Sequence, residues 1–438
     1  MMDEQLHLLR DLRMPAYPQI FRLRQKFQSP RVEDISGEVQ RQLAKLELAR
    51  HVRPGHSVAI SAGSRGIANL PVILRAIVEH LQGLGARPFA VPAMGSHGGG
   101  TAEGQRAVLE RYGVTEAALG CPIRASMETV VVCRTREGFP VHFDRHAFEA
   151  DHVVVCNRIK PHTRFVGELE SGLMKMMLIG LGKHEGAIVY HRAIHDYTFG
   201  QIVRSVAGEV LRRCRILAGV AIVENALDET ALVEAVAPAD FERREKDLLK
   251  LARQWMARLP FDRVDVLVID EIGKEISGTG LDTNVVGRKF DDHKAVEGEY
   301  PKVRNIVLRG LTEATHGNAV GLGIAEFCRS DLLRRADLNA TRLNAITAGH
   351  LPAAMLPLDY ETDREILEVA LGTIGLVEPA GARLMWIKNT LELTEVECSA
   401  AYLEEARGRD DLEVVTGLRD LPLDEDGNLP PWARGKPH

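Results

Sequence analysis

The residues best suited to chemistry follow one apolar run near the middle of the chain. Residues 153–156 read Val-Val-Val-Cys, and the polar sequence Asn-Arg-Ile-Lys-Pro-His-Thr follows at 157–163. An uninterrupted apolar run of this length predicts a buried parallel strand. His162 therefore lies just past the carboxyl end of a strand, where open α/β sheets bind ligands. The chain then adds further candidates for metal or general-base chemistry, namely Lys175, His184, His191, His195 and Asp196.

The three later histidines are separated by seven and four residues. If residues 187–196 are helical, His191 and His195 share a face and His184 lies near the start of the helix. Such a face could supply imidazole ligands to a metal ion. The alternative interpretation is that one or two of these histidines only make local hydrogen bonds. The spacing is not His-Glu-x-x-His, so it does not predict a zinc peptidase.

Two glycine-containing loops follow the first two predicted strands. Residues 61–66, which include Arg65, follow the first strand, and residues 95–100, Gly-Ser-His-Gly-Gly-Gly, follow the second. Neighbouring parallel strands would bring Arg65 and His97 to the same edge of a sheet. A guanidinium there suits a carboxylate or phosphate, and Gly98 and Gly99 let backbone amides approach an anion. A plain glycine turn with an exposed histidine remains the alternative. The sequence has no G-x-G-x-x-G motif after a predicted strand, so it gives little support to a nicotinamide-binding site.

Alternating strands and helices must position these loops. Residues 57–60 predict a strand, residues 70–81 a helix with apolar residues at helical spacing, and residues 88–91 a second strand. Thr101 is a candidate N-cap for a helix to Tyr112. Strands at 128–133 and 152–156 extend the predicted sheet. A helix is predicted near 199–213, a strand near 216–223 and a helix near 239–258. Residues 1–52 show helical patterning. The fold class is α/β, with two domains and mostly parallel sheets.

The composition is that of a globular protein with two domains. The chain has 438 residues, 45% of them hydrophobic and 26% charged, with a net charge of −6. Length favours two domains, and the charge balance does not predict nucleic-acid binding. No apolar stretch is long enough for a membrane span, and the N-terminus lacks the pattern of a secretory signal. The six cysteines form no C-x-x-C pair, which predicts reduced thiols in a cytoplasmic protein.

The predicted domain joint lies near residues 259–264. We assign residues 1–260 to an N-terminal α/β domain, 261–400 to a C-terminal α/β domain with strands near 264–269, 304–308 and 384–388, and 401–438 to a C-terminal segment and surface tail. The loop at 270–288 follows the first strand of the second domain. Its Lys274 could bind a substrate anion, or it could lie in solvent on a glycine-rich turn. The predicted active site is the cleft between the domains.

Taken together, the Arg65 loop, Gly95-Ser96-His97, Pro161-His162, Lys175 and His191 resemble the nickel-pincer lactate racemase family. The resemblance covers most of the first domain. It implies a nickel-pincer nucleotide, which is pyridinium-3,5-bisthiocarboxylic acid mononucleotide nickel, and proteins that assemble it as partners. Carried over to this sequence, Lys175 would tether the cofactor and His191, sixteen residues later, would ligate the nickel. His97 and His162 would be the acid/base pair, Arg65 and Lys274 would bind substrate, and Gly98 and Gly99 would approach the cofactor.

The chain departs from the family pattern at three places. The approach to Lys175 is longer by about three residues, so Lys183 is a rival for the tether. Ala62 stands where an aspartate usually precedes the arginine. The loop with Lys274 shares position more than sequence with the family's substrate loop. These departures, together with Glu168 and Glu170, favour a substrate larger or more polar than lactate, such as a sugar acid.

The implied activity is racemisation or epimerisation of a 2-hydroxy acid through a keto acid. Removal of hydride by a cationic pyridinium avoids the cost of deprotonating a carbon beside a carboxylate. Two histidines would handle the hydroxyl proton. Two alternatives stay open: a metal-dependent lyase or hydratase of hydroxy acids, and a non-catalytic carrier of nickel or cofactor. Neither nucleic acid nor membrane is expected as a partner, and a homo-oligomer is possible.

Overall fold

The computed structural model describes residues 16–64 and 66–432, and these form two compact units. One unit is continuous, residues 28–256. The other contains residues 16–27 together with 257–432. The strands of the described chain are β1 (Ile20–Gln25), β2 (Ser57–Ala62), β3 (Arg87–Pro92), β4 (Thr129–Arg134), β5 (Pro140–Asp144), β6 (His152–Arg158), β7 (Ile216–Glu224), β8 (Thr230–Val236), β9 (Arg263–Ile269), β10 (Lys302–Leu308), β11 (Phe327–Arg329), β12 (Leu358–Tyr360), β13 (Leu384–Ile387), β14 (Glu395–Ser399) and β15 (Leu412–Val414).

The α-helices lie mostly between these strands. They are α1 (Ile35–Ala44), α2 (Leu70–Gly83), α3 (Ala102–Arg111), α4 (Glu116–Leu119), α5 (Arg145–Glu149), α6 (Leu173–Lys175), α7 (Lys183–Ala193), α8 (Phe199–Arg213), α9 (Phe241–Trp255), α10 (Thr283–Val286), α11 (Ser330–Arg335), α12 (Leu338–Thr347), α13 (Asp363–Gly372) and α14 (Leu403–Arg407). A single turn of π-helix, Met176–Gly180, continues α6.

The unit of residues 28–256 is built on a five-stranded sheet in the order β3-β2-β6-β7-β8. The first four strands are parallel and β8 is antiparallel to β7. The strands are buried apolar runs, as parallel strands covered on both faces should be. Val58, Ile60 and Val154 face one core cluster with α1 and α2, whereas Ala59, Val153 and Val155 face a second cluster with α8 and α9.

Two features of the described chain differ from the sequence prediction. The strand predicted at 128–133 does not extend the sheet, because β4 pairs with β5 in a separate two-stranded hairpin. Residues 1–52 are not uniformly helical in the part that the structure describes, because β1 precedes α1. The predicted helices at 70–81 and 199–213 are confirmed as α2 and α8.

The other unit has an eight-stranded sheet in the order β12-β11-β10-β9-β13-β14-β1-β15. Strands β9 to β13 are mutually parallel, and β14, β1 and β15 are antiparallel to their neighbours. Residues 401–432 are not a surface tail, because β15 pairs with β1 and both Leu421 and Leu429 are buried in the core. The chain divides after Met256, three residues before the joint that we predicted.

Two properties of the described residues bear on the class of protein. No helix among them is long and apolar enough to cross a membrane. All six cysteines are unpaired, and five of them, all except Cys133, are buried. Burial raises the pKa of the Cys156 thiol to about 12 and that of Cys121 to about 11, so these thiols stay protonated at neutral pH.

Candidate functional site

The carboxyl ends of β2 and β6 frame a crevice in the five-stranded sheet. The chain runs from β2 to β3 on one side and returns to place β6 on the other, which makes this a topological switch point. Backbone pairing of the two strands ends at Ile60 and Val154. Beyond it, the Ser61 hydroxyl donates to the Cys156 carbonyl at 3.1 Å and accepts from the Cys156 amide at 2.9 Å. The Ser61 side chain thus continues the link between the two strands where their backbone pairing ends, and the loops after β2, β3 and β6 follow at this edge of the sheet.

The loop after β3 carries His97 at the start of a glycine turn. Gly98, Gly99 and Gly100 have φ of 64°, 68° and 66°, which only glycine adopts without strain. Gly98 packs so closely on α3 that a Cβ there would lie 2.4 Å from the Gly104 carbonyl carbon. His97 Nδ1 lies 2.5 Å from the Ser64 hydroxyl, which joins this loop to the one after β2. The predicted N-cap is confirmed, because Thr101 accepts from the Gly104 amide at 3.0 Å.

A buried polar cluster supports the His97 loop from below. The Lys183 ammonium lies 3.0 Å from the Asp144 carboxylate, and both side chains are fully buried. Lys183 also donates to the Pro92 carbonyl at 2.5 Å. Gln105 donates to the Gly95 carbonyl at 2.8 Å. Burial lowers the pKa of Lys183 and the charge of Asp144 opposes that shift. Lys183, the rival for the tether, is therefore engaged in an internal ion pair.

The loop after β6 holds His162 by its main chain and its ring. The His162 amide donates to the Glu170 carboxylate at 2.6 Å, and Arg253 donates to the same carboxylate at 2.7 Å. His162 Nδ1 accepts from the amides of Arg164 at 3.0 Å and Phe165 at 3.1 Å. The loop thus closes on its own histidine.

Aromatic stacking connects His162 to Lys175. The His162 ring stacks on Phe165 with centroids 4.1 Å apart, and Phe165 stacks on Phe199 at 3.9 Å. The Lys175 ammonium lies 5.2 Å from the centre of the Phe165 ring, a distance typical of a cation–π contact. Two residues that were proposed from the sequence, His162 and Lys175, therefore border the same aromatic ring.

Lys175 and His191 are also near each other. Burial lowers the pKa of His191, and the positive charge of Lys175 lowers it further. A neutral imidazole is the form that binds metal ions. Lys175 ends α6 where the π-turn Met176–Gly180 begins, and such turns often occur at functional sites. On the other side of this turn, Gly95 packs against Ile179, which brings the His97 loop to the same segment.

Glu245 is a component of the site that sequence reasoning missed. Its carboxylate is fully buried and accepts from the Met174 amide at 2.8 Å, capping the turn that carries Lys175. Gly172 leaves room for it, because a Cβ at Gly172 would lie 2.4 Å from the Glu245 carboxyl carbon. Burial raises the pKa of Glu245 to about 7. A signal existed in the sequence, since Glu245 shares the buried stripe of α9 with Phe241, Leu248 and Ala252.

The three histidines that were considered as ligands of one metal ion are not grouped, in line with the alternative that some of them have only local roles. Helix α7 ends at Ala193, so His195 lies beyond it and is exposed. In residues 16–64 and 66–432, no three His, Cys, Asp or Glu side chains are grouped to hold a metal ion. His184 instead lies beside the glycine turn, with Nδ1 buried and without a hydrogen-bond partner among the described residues, about 3.9 Å from where a Gly100 Cβ would be.

The acidic residues before Lys175 have structural partners. Glu168 is exposed and pairs with Arg204 and Lys246, each at 3.0 Å. Glu170 is buried and pairs with Arg253. The expectation that Glu168 and Glu170 line a polar substrate pocket is therefore wrong, because both carboxylates are engaged in ion pairs.

Of the two cationic side chains predicted to bind substrate, the structure describes one. Arg65 lies outside the residues that the structure describes. Lys274 belongs to the second unit, where its ammonium donates to the Gly278 carbonyl at 2.5 Å and to the Asn344 side chain at 2.9 Å. In the same loop, Ser277 and Thr279 are buried rather than solvated.

Comparison with known proteins identifies the N-terminal part of the chain. Residues 15–199 match the family described as the lactate racemase N-terminal domain. This segment of the chain is similar to that domain. This matched segment contains His97, His162, Lys175 and His191.

Solved structures agree in fold. The lactate racemase apoprotein from Thermoanaerobacterium thermosaccharolyticum matches at 12% identity with a TM-score of 0.52, over 85% of this chain and 99% of that chain. A protein from Thermotoga maritima matches at 13% identity with a TM-score of 0.46, over 74% of this chain and 82% of that chain, which is too distant to carry an argument. No curated protein matches the sequence.

Proposed function

We propose that this lactate racemase-like protein racemises or epimerises a 2-hydroxy acid with a nickel-pincer nucleotide. The observation that carries the proposal is the proximity of Lys175 and His191. The charge of Lys175 lowers the pKa of His191, so a lysine side chain and a neutral imidazole share one site. Both lie in the segment that matches the lactate racemase N-terminal domain. Proteins that assemble the cofactor would be its partners.

The side chains present suit such a cofactor. His191 is kept neutral by burial, as a ligand of nickel must be. Lys175 would form the covalent tether, since Lys183 is consumed by its ion pair with Asp144. Gly99 has no atom within 4 Å of its Cβ direction, and the buried Nδ1 of His184 faces the same turn. Gly98, Gly99 and His184 can therefore bind the phosphate group of a nucleotide.

The protein's own groups would then handle the substrate. When bound, the nucleotide supplies an electron-poor pyridinium ring that can accept hydride. His97, oriented by Ser64, takes the hydroxyl proton of the substrate. His162 lies on the other loop and contacts the substrate oxygen. Arg65 and Lys274 neutralise the substrate carboxylate, and holding it fixes the reacting carbon.

The substrate tail is a separate proposal. We propose a 2-hydroxy acid larger or more polar than lactate, such as a sugar acid. With Glu168 and Glu170 engaged elsewhere, the support that remains is Ala62, which is fully buried at the end of β2, and the loop of Lys274. A panel of hydroxy acids in deuterated buffer, separated by chiral chromatography, tests it. Lactate reacting at least as fast as every polyhydroxy acid refutes the larger tail without refuting racemisation.

The cofactor is tested by intact mass and peptide mapping. Protein made together with a cofactor-assembly pathway should gain mass on the peptide of Lys175, and protein made without it should not. His191→Ala should keep the mass increment and lose the nickel. Modification of Lys183 with Lys175 free contradicts the assignment. Nickel binding without turnover of any hydroxy acid would indicate a carrier, and an unsaturated product would indicate a lyase.

A further inference from the structure

The turn that carries Lys175 is held at its amino end by groups from distant segments of the chain. Helix α6 has three residues, too few to be stable alone. The Gly172 carbonyl, just before it, accepts from the Asn157 side chain at 2.9 Å. The Glu245 carboxylate accepts from the Met174 amide at 2.8 Å. Glu245 therefore satisfies an amide that the start of a helix leaves unpaired, as a local capping residue would.

The two oxygens of the Glu245 carboxylate have different surroundings. Oε2 accepts from the Met174 amide, whereas Oε1 is buried and has no hydrogen-bond partner among the described residues. The whole side chain is buried, and a charged carboxylate is costly in such a place. Oε1 can therefore carry a proton without disturbing the hydrogen bond that Oε2 makes to the turn.

The charge state of Glu245 near neutral pH depends on burial and on two charged neighbours. Burial raises the pKa of Glu245 to about 7, and the charge of Glu242 adds to that rise, whereas the charge of Lys175 lowers the pKa. Glu242 lies one helical turn earlier on α9 and pairs with Arg204 at 2.8 Å and Lys246 at 3.0 Å. Because the pKa lies near neutrality, a change in the charge of Lys175 changes the proton occupancy of Glu245.

We propose that Glu245 positions Lys175 through the main chain of this turn, and that Glu245 takes up a proton when Lys175 is joined to the cofactor. This inference rests on the proposed function. The lysine nitrogen forms a bond to a carboxyl-derived carbon, the bond from that carbon to oxygen or sulfur breaks, and water or hydrogen sulfide leaves. The charges of the ammonium and of the carboxyl-type group disappear together. Glu245 then loses a neighbouring cation, and Oε1 takes a proton from solvent.

The turn keeps its position during this change of charge. Oε2 can accept from the Met174 amide in either protonation state, and the hydrogen bond from Asn157 to Gly172 does not involve Glu245. A glutamate supplies both properties at once. An aliphatic side chain would leave the amide unsatisfied, and glutamine would keep the hydrogen bond but remove the negative charge.

Carbon NMR of the apoprotein tests the coupling without any cofactor. Protein labelled with ¹³C at the glutamate carboxyl groups is titrated between about pH 4 and pH 9, and the Glu245 signal is assigned by its loss in Glu245→Gln. Lys175→Met removes the charge and keeps a chain of similar length, so it should raise the pKa of Glu245. Lys250→Met removes an exposed charge from the same helix and should leave it unchanged. An unchanged pKa in Lys175→Met overturns the proposal.

Lysine acetylation tests the coupling in the other direction, because coupling between two sites is reciprocal. In Glu245→Gln, acetic anhydride should modify Lys175 at least about two-fold faster than in wild-type apoprotein at a pH of about 8, measured by mass spectrometry. Glu242→Gln is the matched control, one helical turn away, and should leave the rate unchanged. A rate in Glu245→Gln equal to that of the control overturns the coupling.

Hydrogen exchange separates the positioning role from the charge. The peptide that covers α6 and the π-turn should exchange as in wild type in Glu245→Gln, which retains an acceptor for the Met174 amide, and faster in Glu245→Ala, which does not. Faster exchange in Glu245→Gln would assign its acetylation to a loosened turn and overturn the coupling. Wild-type exchange in Glu245→Ala would overturn the positioning role.

Protein made together with a cofactor-assembly pathway gives the final comparison. Where the peptide of Lys175 carries the mass increment, Glu245 should stay protonated to a higher pH than in the apoprotein, as in Lys175→Met. Identical titration of Glu245 in loaded protein and apoprotein overturns the proton uptake. If no increment forms on Lys175, the proposed function fails, and the titration of Lys175→Met still decides whether the two side chains are coupled.

Discussion

Replacement of Asp144 by asparagine should destabilise the unit of residues 28–256 locally and strongly. Both members of the Asp144–Lys183 pair are fully buried with 3.0 Å between their charged groups. Asparagine keeps the oxygen that accepts from the Ala147 amide, so the cap of α5 survives. The ammonium of Lys183 loses its counter-charge. Breaking a buried pair by removing one partner typically costs about 3–5 kcal/mol.

The pH dependence of stability and a second substitution show whether the unpaired charge of Lys183 causes the destabilisation. Burial already lowers the pKa of Lys183, so the unfolded chain binds its proton more tightly than the folded one. Stability therefore rises with pH in the interval between the lowered folded pKa and the ordinary unfolded value. In Asp144→Asn the folded pKa should fall further, and the deficit should shrink as pH rises. The double variant Asp144→Asn, Lys183→Met removes the lone charge and should recover most of the loss.

Hydrogen exchange measured by mass spectrometry detects this loss of stability in the segments where it occurs. Peptides from β5 and from the start of α7 should exchange on the order of 10²-fold to 10³-fold faster in Asp144→Asn, since each 1.4 kcal/mol is about a factor of ten. Peptides from β9 and β10 in the other unit are the internal control. Equal exchange in wild type and Asp144→Asn, or a double variant worse than the single one, would refute the reasoning.

Three further predictions concern Glu245, Gly172 and the cysteine thiols. Because burial raises the pKa of Glu245 to about 7, the protonated form is favoured on folding, so wild-type stability should fall as pH rises from about 4.5 to 7, and Glu245→Gln should abolish that dependence in denaturation measured against pH. Gly172→Ala places a Cβ 2.4 Å from the Glu245 carboxyl carbon and should lower stability by about 1–3 kcal/mol in thermal unfolding, with Gly208→Ala, which meets no atom within 4 Å, as control. Ellman's reagent should modify Cys133 first in native protein and all six thiols in denaturant, and rapid modification of a second thiol would contradict the burial.

The strand ends of the candidate site could be predicted because local patterns define them. The apolar run before His162, the helix period at 70–81 and the N-cap at Thr101 each depend on a few neighbouring residues, and each is confirmed. The separation of Lys175 from His191 is also a local property. These features place the histidines on one edge of a sheet without knowledge of distant contacts.

The supporting partners could not be predicted because they come from far along the chain. Glu245 caps the Lys175 turn from a helix 71 residues away, and Arg253 reaches Glu170 across 83 residues. Sequence alone gives no rule that pairs one charge with another at such separations. Strand β1 was missed although a local signal existed, since Phe21 and Leu23 alternate with arginines and give a period of two. Its pairing with β14, near the other end of the chain, could not be predicted from the sequence.

The position of β1 has a consequence for synthesis of the protein. The unit of residues 28–256 has all its strands once Met256 has left the ribosome, and its two ends are adjacent, as the contact of Gln28 with Gln254 shows. The other unit must wait, because β1 is made first and its neighbours β14 and β15 are made last. A gene fragment that starts at residue 257 would leave a gap between those two strands. Expression of the second unit alone therefore requires residues 16–27 to be joined to it, and β1 stays unpaired in the nascent chain until β14 and β15 have been made.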